Sequence, residues 1–322
     1  MNFTREQVID AMEAVHAFMP PTPQYAWPLL KQRLGLPVWV KHENHTPAGA
    51  FKVRGGITYF EQLVKEQPQL QGVIAATRGN HGQSVAASAR RHGLEAVIVV
   101  PHGNSVEKNA AMRALGGTLV EHGSEFQEAR EHAQQLARER GLHMVPSFHP
   151  ELVRGVMTYW VEFFHAMPRG EEPAVIYVPI GQGSGFCAAA AARHFTGARS
   201  KLVGVVSSHA TSFLDSFRAK RVVEAPVTTQ LADGMACRIA DPQALEVVLR
   251  EAEDVVAVSD AEVAEAMRIL FADTHNVAEG AGAAALAAAM QQRSRFGRAP
   301  VGVALTGGNV DSDVFARVLA GG

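Results

Sequence analysis

The chain has 322 residues, 47% hydrophobic and 19% charged, with a formal net charge of −2. That composition excludes a disordered chain and leaves room for one large core or two medium ones. A charge so near zero gives no electrostatic case for nucleic acid or an anionic membrane, and two cysteines, Cys187 and Cys237, are too few for a secreted disulfide framework.

Taken in chain order, the N-terminal stretch MNFTREQVIDAMEAVHAFM is amphipathic and acidic, which argues against a signal peptide. Apolar, β-branched runs then predict strands at PVWVKHE, GVIAAT, AVIVVP, GTLVEHG, AVIYVPI, LVGVVSS, DVVAVS and VGVALTGG. Helical patterns lie between them. HGQSVAASARRHG carries a stripe of small and apolar residues and stops at Gly; SEFQEAREHAQQLARERG opens on Ser124, an expected N-cap, and also stops at Gly. The alanine-rich run GAGAAALAAAM is too short to span a bilayer. Alternating strands and helices call for parallel sheets covered on both faces. One sheet of eight strands fits, and so do two sheets with a cleft between them. The expected setting is the cytoplasm, with no membrane and no nucleic-acid partner.

Four places along this chain carry chemistry. The first is TPAGAFKVRGG, Thr46 to Gly56, where Lys52 stands among residues fit for burial. A buried amine is costly unless it is neutral, paired or covalently used. The second is ATRGNHGQS, where Gly79, Asn80 and Gly82 lead from a strand into a helix and offer backbone N–H groups to an anion. The third is GQGSG. Gly181, Gly183 and Gly185 follow a very apolar strand and precede a small-residue helix, and Ser184 adds a hydroxyl. No G-K-[ST] follows, and SKLVGVVSS supplies no acid for a ribose, so a bare phosphate group fits better than a dinucleotide. The fourth is ALTGGNVD, with Thr306 at a strand end. A lysine, a phosphate cradle, an anion-ready loop and a strand-end hydroxyl are together what pyridoxal phosphate requires.

In this order the motifs resemble the fold-type-II pyridoxal-phosphate enzymes, in the branch of serine/threonine dehydratases and serine racemase. The likeness runs from PPTP at Pro20 to Pro23 through LTGGNVD. KHENHTPAGAFKVRGG is similar to the branch's lysine motif, RGNHGQS to its S-G-N-H-G-Q loop, GQGSG to its phosphate loop and LTGGN to its S-G-G-N turn. The resemblance implies two doubly wound domains of tryptophan synthase β-like architecture with mostly parallel sheets. Residues 1–71 plus 149–322 would form a larger cofactor-binding domain and 72–148 a smaller inserted one, with pyridoxal phosphate in the cleft. Lys52 would form the Schiff base, Phe51 would pack beside the ring and Asn80 would meet the phenolic oxygen. Gly181, Gln182, Gly183, Ser184 and Gly185 would hold the phosphate, and Thr306 would face the pyridine nitrogen. Thr77, Arg78, Gly79, Asn80 and His81 would form the substrate loop. Glu279 matches a family glutamate near the site, although a helix-start carboxylate would also explain it.

The implied reaction is conversion of a 3-hydroxy amino acid such as threonine or serine to a 2-oxo acid and ammonia, by a short, catabolic type of enzyme that forms a homodimer. The alternatives are a racemase of the serine racemase type and a dehydratase specialised for 3-hydroxyaspartate or phenylserine. Four positions depart from the pattern. Ala50 stands where a serine is usual, Arg78 stands where serine racemase has a catalytic serine, and Ser207 and Phe213 occupy the positions of an acidic metal-binding pair. No divalent metal is therefore expected there.

Overall fold

The computed structural model describes residues 1–295 and 297–321. Its strands are β1 (Gln24–Ala26), β2 (Val38–His42), β3 (Gly72–Ala76), β4 (Glu95–Val100), β5 (Thr118–Glu121), β6 (His143–Met144), β7 (Val175–Pro179), β8 (Lys201–Ser207), β9 (Ala252–Val258) and β10 (Val301–Leu305). Six form one sheet in the order β1-β2-β10-β7-β8-β9; four form another in the order β5-β4-β3-β6. All pairs are parallel except β1 with β2. The eight predicted runs are all strands. β1 and β6 are additions, three and two residues long, with no run of β-formers to mark them.

Each sheet is covered on both faces, which is why its central strands are apolar throughout rather than alternating. In the larger sheet Ile176 and Val178 of β7 enter one core with Trp160 and Phe186. Val175 and Tyr177 enter the opposite core with Leu270 and the alanines of the helix Gly280–Gln291. In the smaller sheet Val73 and Ala75 face one core, Ile74 and Ala76 the other.

The helix Lys52–Glu66 is held very close to two others. A Cβ on Gly55 would come within 2.6 Å of the Leu152 carbonyl oxygen, and one on Gly56 within 2.4 Å of Ser84 Oγ. The pair of glycines after Arg54 thus lets this helix nest between the helices Pro150–His165 and Asn80–Arg91.

One helix start differs from expectation. The helix Phe126–Arg140 takes Glu125, not Ser124, as its N-cap residue, and Glu125 makes no side-chain cap bond. Ser124 instead donates its N–H and its hydroxyl to Glu128 Oε2. The carboxylate four residues on captures the serine before it can serve the helix.

Candidate active site

Lys52, Asn80, the glycine loop and Thr306 all follow the carboxyl ends of parallel strands, namely β2, β3, β7 and β10, where doubly wound sheets bind ligands. The structure brings them to one pocket, whose wall includes Phe51, Lys52, Asn80, Gly181 to Gly185, Glu279 and Thr306. Another depression, lined by Gln67 to Gln71 with Arg140 and Gly141, lies before β3 at its amino end and gathers no reactive groups.

Backbone bonds knit the loops together. Phe51 N–H donates to the Thr306 carbonyl at 3.0 Å, Gly308 N–H to Gly49 at 2.9 Å and Glu279 N–H to Gly307 at 3.0 Å. Gly49 has φ +66°, and a Cβ there would lie 2.4 Å from Asn309 Oδ1. Glycine at 49 therefore makes room for Asn309, which donates to the Ala48 carbonyl at 2.9 Å and to Asn80 Oδ1 at 2.8 Å. Thr46 Oγ1 closes the turn before Lys52 by bonding both backbone groups of Ala50. Lys52 is thus delivered at the first residue of its helix by a pinned loop.

The Lys52 amine forms no ion pair among the described residues. Its Nζ lies 4.8 Å from the centroid of the Phe51 ring. Burial lowers the Lys52 pKa below its ordinary value, and the charge of Glu279 opposes this. Lys52 lines the pocket.

Glu279 is buried at 3% exposure. It is the N-cap residue of the helix Gly280–Gln291 but makes no cap bond. Its Oε1 accepts from Asn80 Nδ2 at 2.6 Å, while Oε2 has no hydrogen-bond partner. Lys108 Nζ stands 3.8 Å from Oε2, in ion-pair range but beyond hydrogen-bonding reach, and bonds Asp233 instead at 2.7 Å. Burial raises the Glu279 pKa to about 7; Lys108 pulls it down, Asp233 pushes it up and the Asn80 bond pulls it down. For Lys108 burial works against the charge, but Asp233 and Glu279 outweigh it and the pKa rises.

The substrate-loop candidates divide. Thr77 and Gly79 are buried, and Thr77 Oγ1 accepts the Gly79 N–H at 3.0 Å. The Lys108 stem lies over Gly79, where a Cβ would meet its Cδ at 2.6 Å. His81 has a buried Nε2 with no partner. Burial, aided by Lys52, lowers its pKa to about 4, so the ring is neutral. Arg78 is exposed. Ser207 is buried with its Oγ accepting from His209 N–H, and Phe213 is buried in the larger core. Lys108, Asp233, Asn309 and Tyr159 were not marked by the sequence; Tyr159 packs edge-on against Phe51, with centroids 6.1 Å apart.

Residues 16–307 match the family described as pyridoxal-phosphate dependent enzymes. The chain belongs to that family. It is 31% identical to an L-threonine ammonia-lyase of Thermotoga maritima over 90% of this chain and 72% of that protein. It is 30% identical to an L-threo-3-hydroxyaspartate ammonia-lyase of a Pseudomonas species over 98% of both. The structure of the processed form of threonine deaminase isoform 2 from Solanum lycopersicum superposes with a TM-score of 0.88 at 25% identity, covering 99% of this chain and 94% of that one. The architecture is that of the fold-type-II members of the family.

The residues present fit pyridoxal phosphate. The amides of Gly181 to Gly185 find no protein acceptor among the described residues and lead into the helix Ser184–Thr196. Gly183 has φ +100°, and a Cβ there would lie 2.5 Å from that of Ala244; one on Gly181 would lie 2.4 Å from the Gly234 carbonyl oxygen. Only glycine leaves such a cradle open to a phosphate. Asn80 keeps one N–H beyond the bond to Glu279, directed to no described residue, for a phenolic oxygen. Thr306 is buried and bonds only weakly, to the Ala281 carbonyl at 3.4 Å.

Proposed function

We propose that this enzyme is an ammonia-lyase that removes water from a 3-hydroxy amino acid, of the serine and threonine class or its 3-hydroxyaspartate analogue, and releases a 2-oxo acid and ammonia. The observation that carries this reading is the uncompensated Lys52 amine at the mouth of the glycine cradle. Both named relatives are ammonia-lyases of 3-hydroxy amino acids.

Lys52 would carry the cofactor, and the amides of Gly181 to Gly185 would take its phosphate. Pyridoxal phosphate, when bound, supplies a ring that accepts the electron pair released at the substrate's Cα. Thr306, if it meets the pyridine nitrogen as the resemblance implies, would set how strongly it does so. A neutral hydroxyl does not hold a pyridine nitrogen protonated as a carboxylate would, so charge is stored less well and prompt loss of a β-group is favoured over transamination. Lys52, once free, is a desolvated amine that is neutral more readily than a surface lysine, and it takes the Cα proton.

A cytoplasmic homodimer completes the reading, with light scattering as the check on assembly. No helix among the described residues is long and apolar enough to cross a membrane. The deciding experiment is a panel of serine, threonine, 3-hydroxyaspartate and phenylserine scored for 2-oxo acid. Release from at least one is expected, and release from none overturns the reading.

A further inference from the structure

Lys52 can serve one half of a water elimination, removal of the Cα proton. The other half needs a proton supplied to the β-oxygen, because hydroxide leaves poorly. The pocket wall holds three hydroxyls, on Tyr159, Ser184 and Thr306, and one carboxyl, that of Glu279. Hydroxyls give up protons only far above neutral pH. The Glu279 carboxyl is oriented by Asn80 at 2.6 Å through one oxygen, and its other oxygen is buried without a hydrogen-bond partner. A buried polar atom left unpaired is costly unless something else is to meet it. We infer that Glu279 is the acid that protonates the departing β-hydroxyl, and that Lys108, 3.8 Å from its unpaired oxygen, is the positioning residue that sets its charge.

This inference rests on the ammonia-lyase reading. The Glu279 O–H bond breaks and its proton joins the β-oxygen while the Cβ–O bond breaks with its electrons on oxygen, so water departs. The Cα–H electrons form the Cα–Cβ double bond, and the Lys52 amine takes that proton. Glu279 ends as a carboxylate and Lys52 as an ammonium, so one proton returned from Lys52 to Glu279 resets the pair.

The electrostatics support the division. Four groups face Glu279: Lys52 and Asn80 from their helices, Lys108 from the helix Val106–Ala114, and Asp233 from the turn beside it. Burial drives the Glu279 carboxyl up towards neutrality and the Lys52 amine down towards it. An acid and a base brought together in that way suit paired proton transfers at one pH.

The test compares serine with 3-chloroalanine, whose chloride leaves without a proton. Glu279→Gln should lower the serine rate relative to the 3-chloroalanine rate by about 10²–10³-fold. Equal losses on both substrates, or no loss on serine, overturn the inference. If the wild-type enzyme releases 2-oxo acid from none of serine, threonine, 3-hydroxyaspartate and phenylserine, the ammonia-lyase reading fails first and takes the inference with it. Lys108→Met keeps the acid in place and should move the alkaline fall of the serine rate to higher pH, since a neighbouring cation no longer favours the carboxylate. An unmoved limb removes Lys108 from the proposal. A readout independent of turnover is carbon-13 NMR of labelled glutamate in the full chain with and without cofactor. A carboxyl titrating near pH 7 should be present in the wild type and absent in Glu279→Gln; its persistence in that variant overturns the assignment.

Discussion

Lys52 and Arg54 stand two residues apart at the start of one helix, yet they enter opposite kinds of surroundings. Residues at that spacing point to different sides of a helix. Arg54 is wholly buried, and every part of its guanidinium is answered: Glu43 Oε2 at 2.7 Å, Glu162 Oε1 at 2.6 Å and Thr158 Oγ1 at 2.9 Å. Lys41 joins at 2.7 Å from Glu162, and Thr22 bonds Glu43 at 2.6 Å. In the Lys52 cluster the amine has no ion pair among the described residues, and Glu279 Oε2 has no hydrogen bond, with Lys108 only at ion-pair distance, 3.8 Å. One set of buried charges is closed within the protein, and the other is left to be completed by a ligand. Closure serves the fold, and incompleteness marks the place where chemistry occurs.

The largest expected effect separates the two clusters most sharply. Lys52→Met should reduce 2-oxo acid release by at least about 10³-fold, because it removes both the proposed covalent anchor and the proposed base. Stability should be unchanged or slightly raised, since an unpaired buried amine is lost. Steady-state assays and urea unfolding of the same preparation check both halves. A protein that loses stability as well would show that Lys52 is paired in a way the geometry does not reveal.

Arg54→Met should do the reverse. Removing one partner leaves Glu43 and Glu162 facing each other without their cation, at an expected loss of about 3–5 kcal/mol of stability. Urea or thermal unfolding measures this. Whatever fraction stays folded should still load cofactor. A small stability loss would mean that Lys41 and Thr22 suffice for both carboxylates, and the contrast between the clusters would weaken.

This contrast was only half legible in the sequence. Lys52, the glycine loop and Asn80 could be read because their signals are local: glycines and an asparagine directly after strands, and a lysine within small residues. The eight long strands were legible for a similar reason, as burial on both faces leaves continuous apolar runs. Lys108 reads as an ordinary helix-surface lysine in SVEKNAAMRALG, and Asp233 as a turn residue in ADGM. Only the approach of the two sheets gives them a role. Glu162 lies 108 residues from Arg54, so no spacing rule connects them. Asn309 stood inside a quoted motif, yet its bond to Asn80 spans 229 residues.

A smaller effect follows from proton linkage and has opposite signs in the two clusters. Burial pushes Glu162 up, but Arg54 and Lys41 outweigh it and hold the pKa at about 2. A depressed carboxylate stabilises the fold above its unfolded value of 4.5, and that stability is lost as pH falls towards 2. Glu279 is raised to about 7, so its contribution is complete below 4.5 and is lost as pH rises through 7. Replacing Glu279 by Gln should therefore flatten the decline in stability between pH 4.5 and 7, and leave the acid limb below 4.5 unchanged. Urea midpoints of the two proteins across that range check the sign; an unchanged slope from 4.5 to 7 would mean that Glu279 is ionised throughout.

The smallest effect is expected at Arg78, which belongs to neither cluster. It sits in the loop that carries Asn80 and His81, but it is exposed. Arg78→Ala should change stability by no more than about 0.5 kcal/mol, as exposed substitutions usually do. Its consequence for chemistry is stereochemical. Racemisation needs a proton carrier on each face of Cα, and Lys52 is proposed to serve one face. A guanidinium keeps its proton at any physiological pH, so Arg78 is poor both as base and as acid. The wild-type enzyme should then form 2-oxo acid from one enantiomer, with the opposite enantiomer appearing far more slowly. Arg78→Ala should not speed that appearance, because alanine carries no proton either. Chiral chromatography of unreacted substrate during turnover decides the point. Rapid formation of the opposite enantiomer would require a second proton carrier, and neutral His81, with its buried and unpartnered Nε2, would be the first residue to replace.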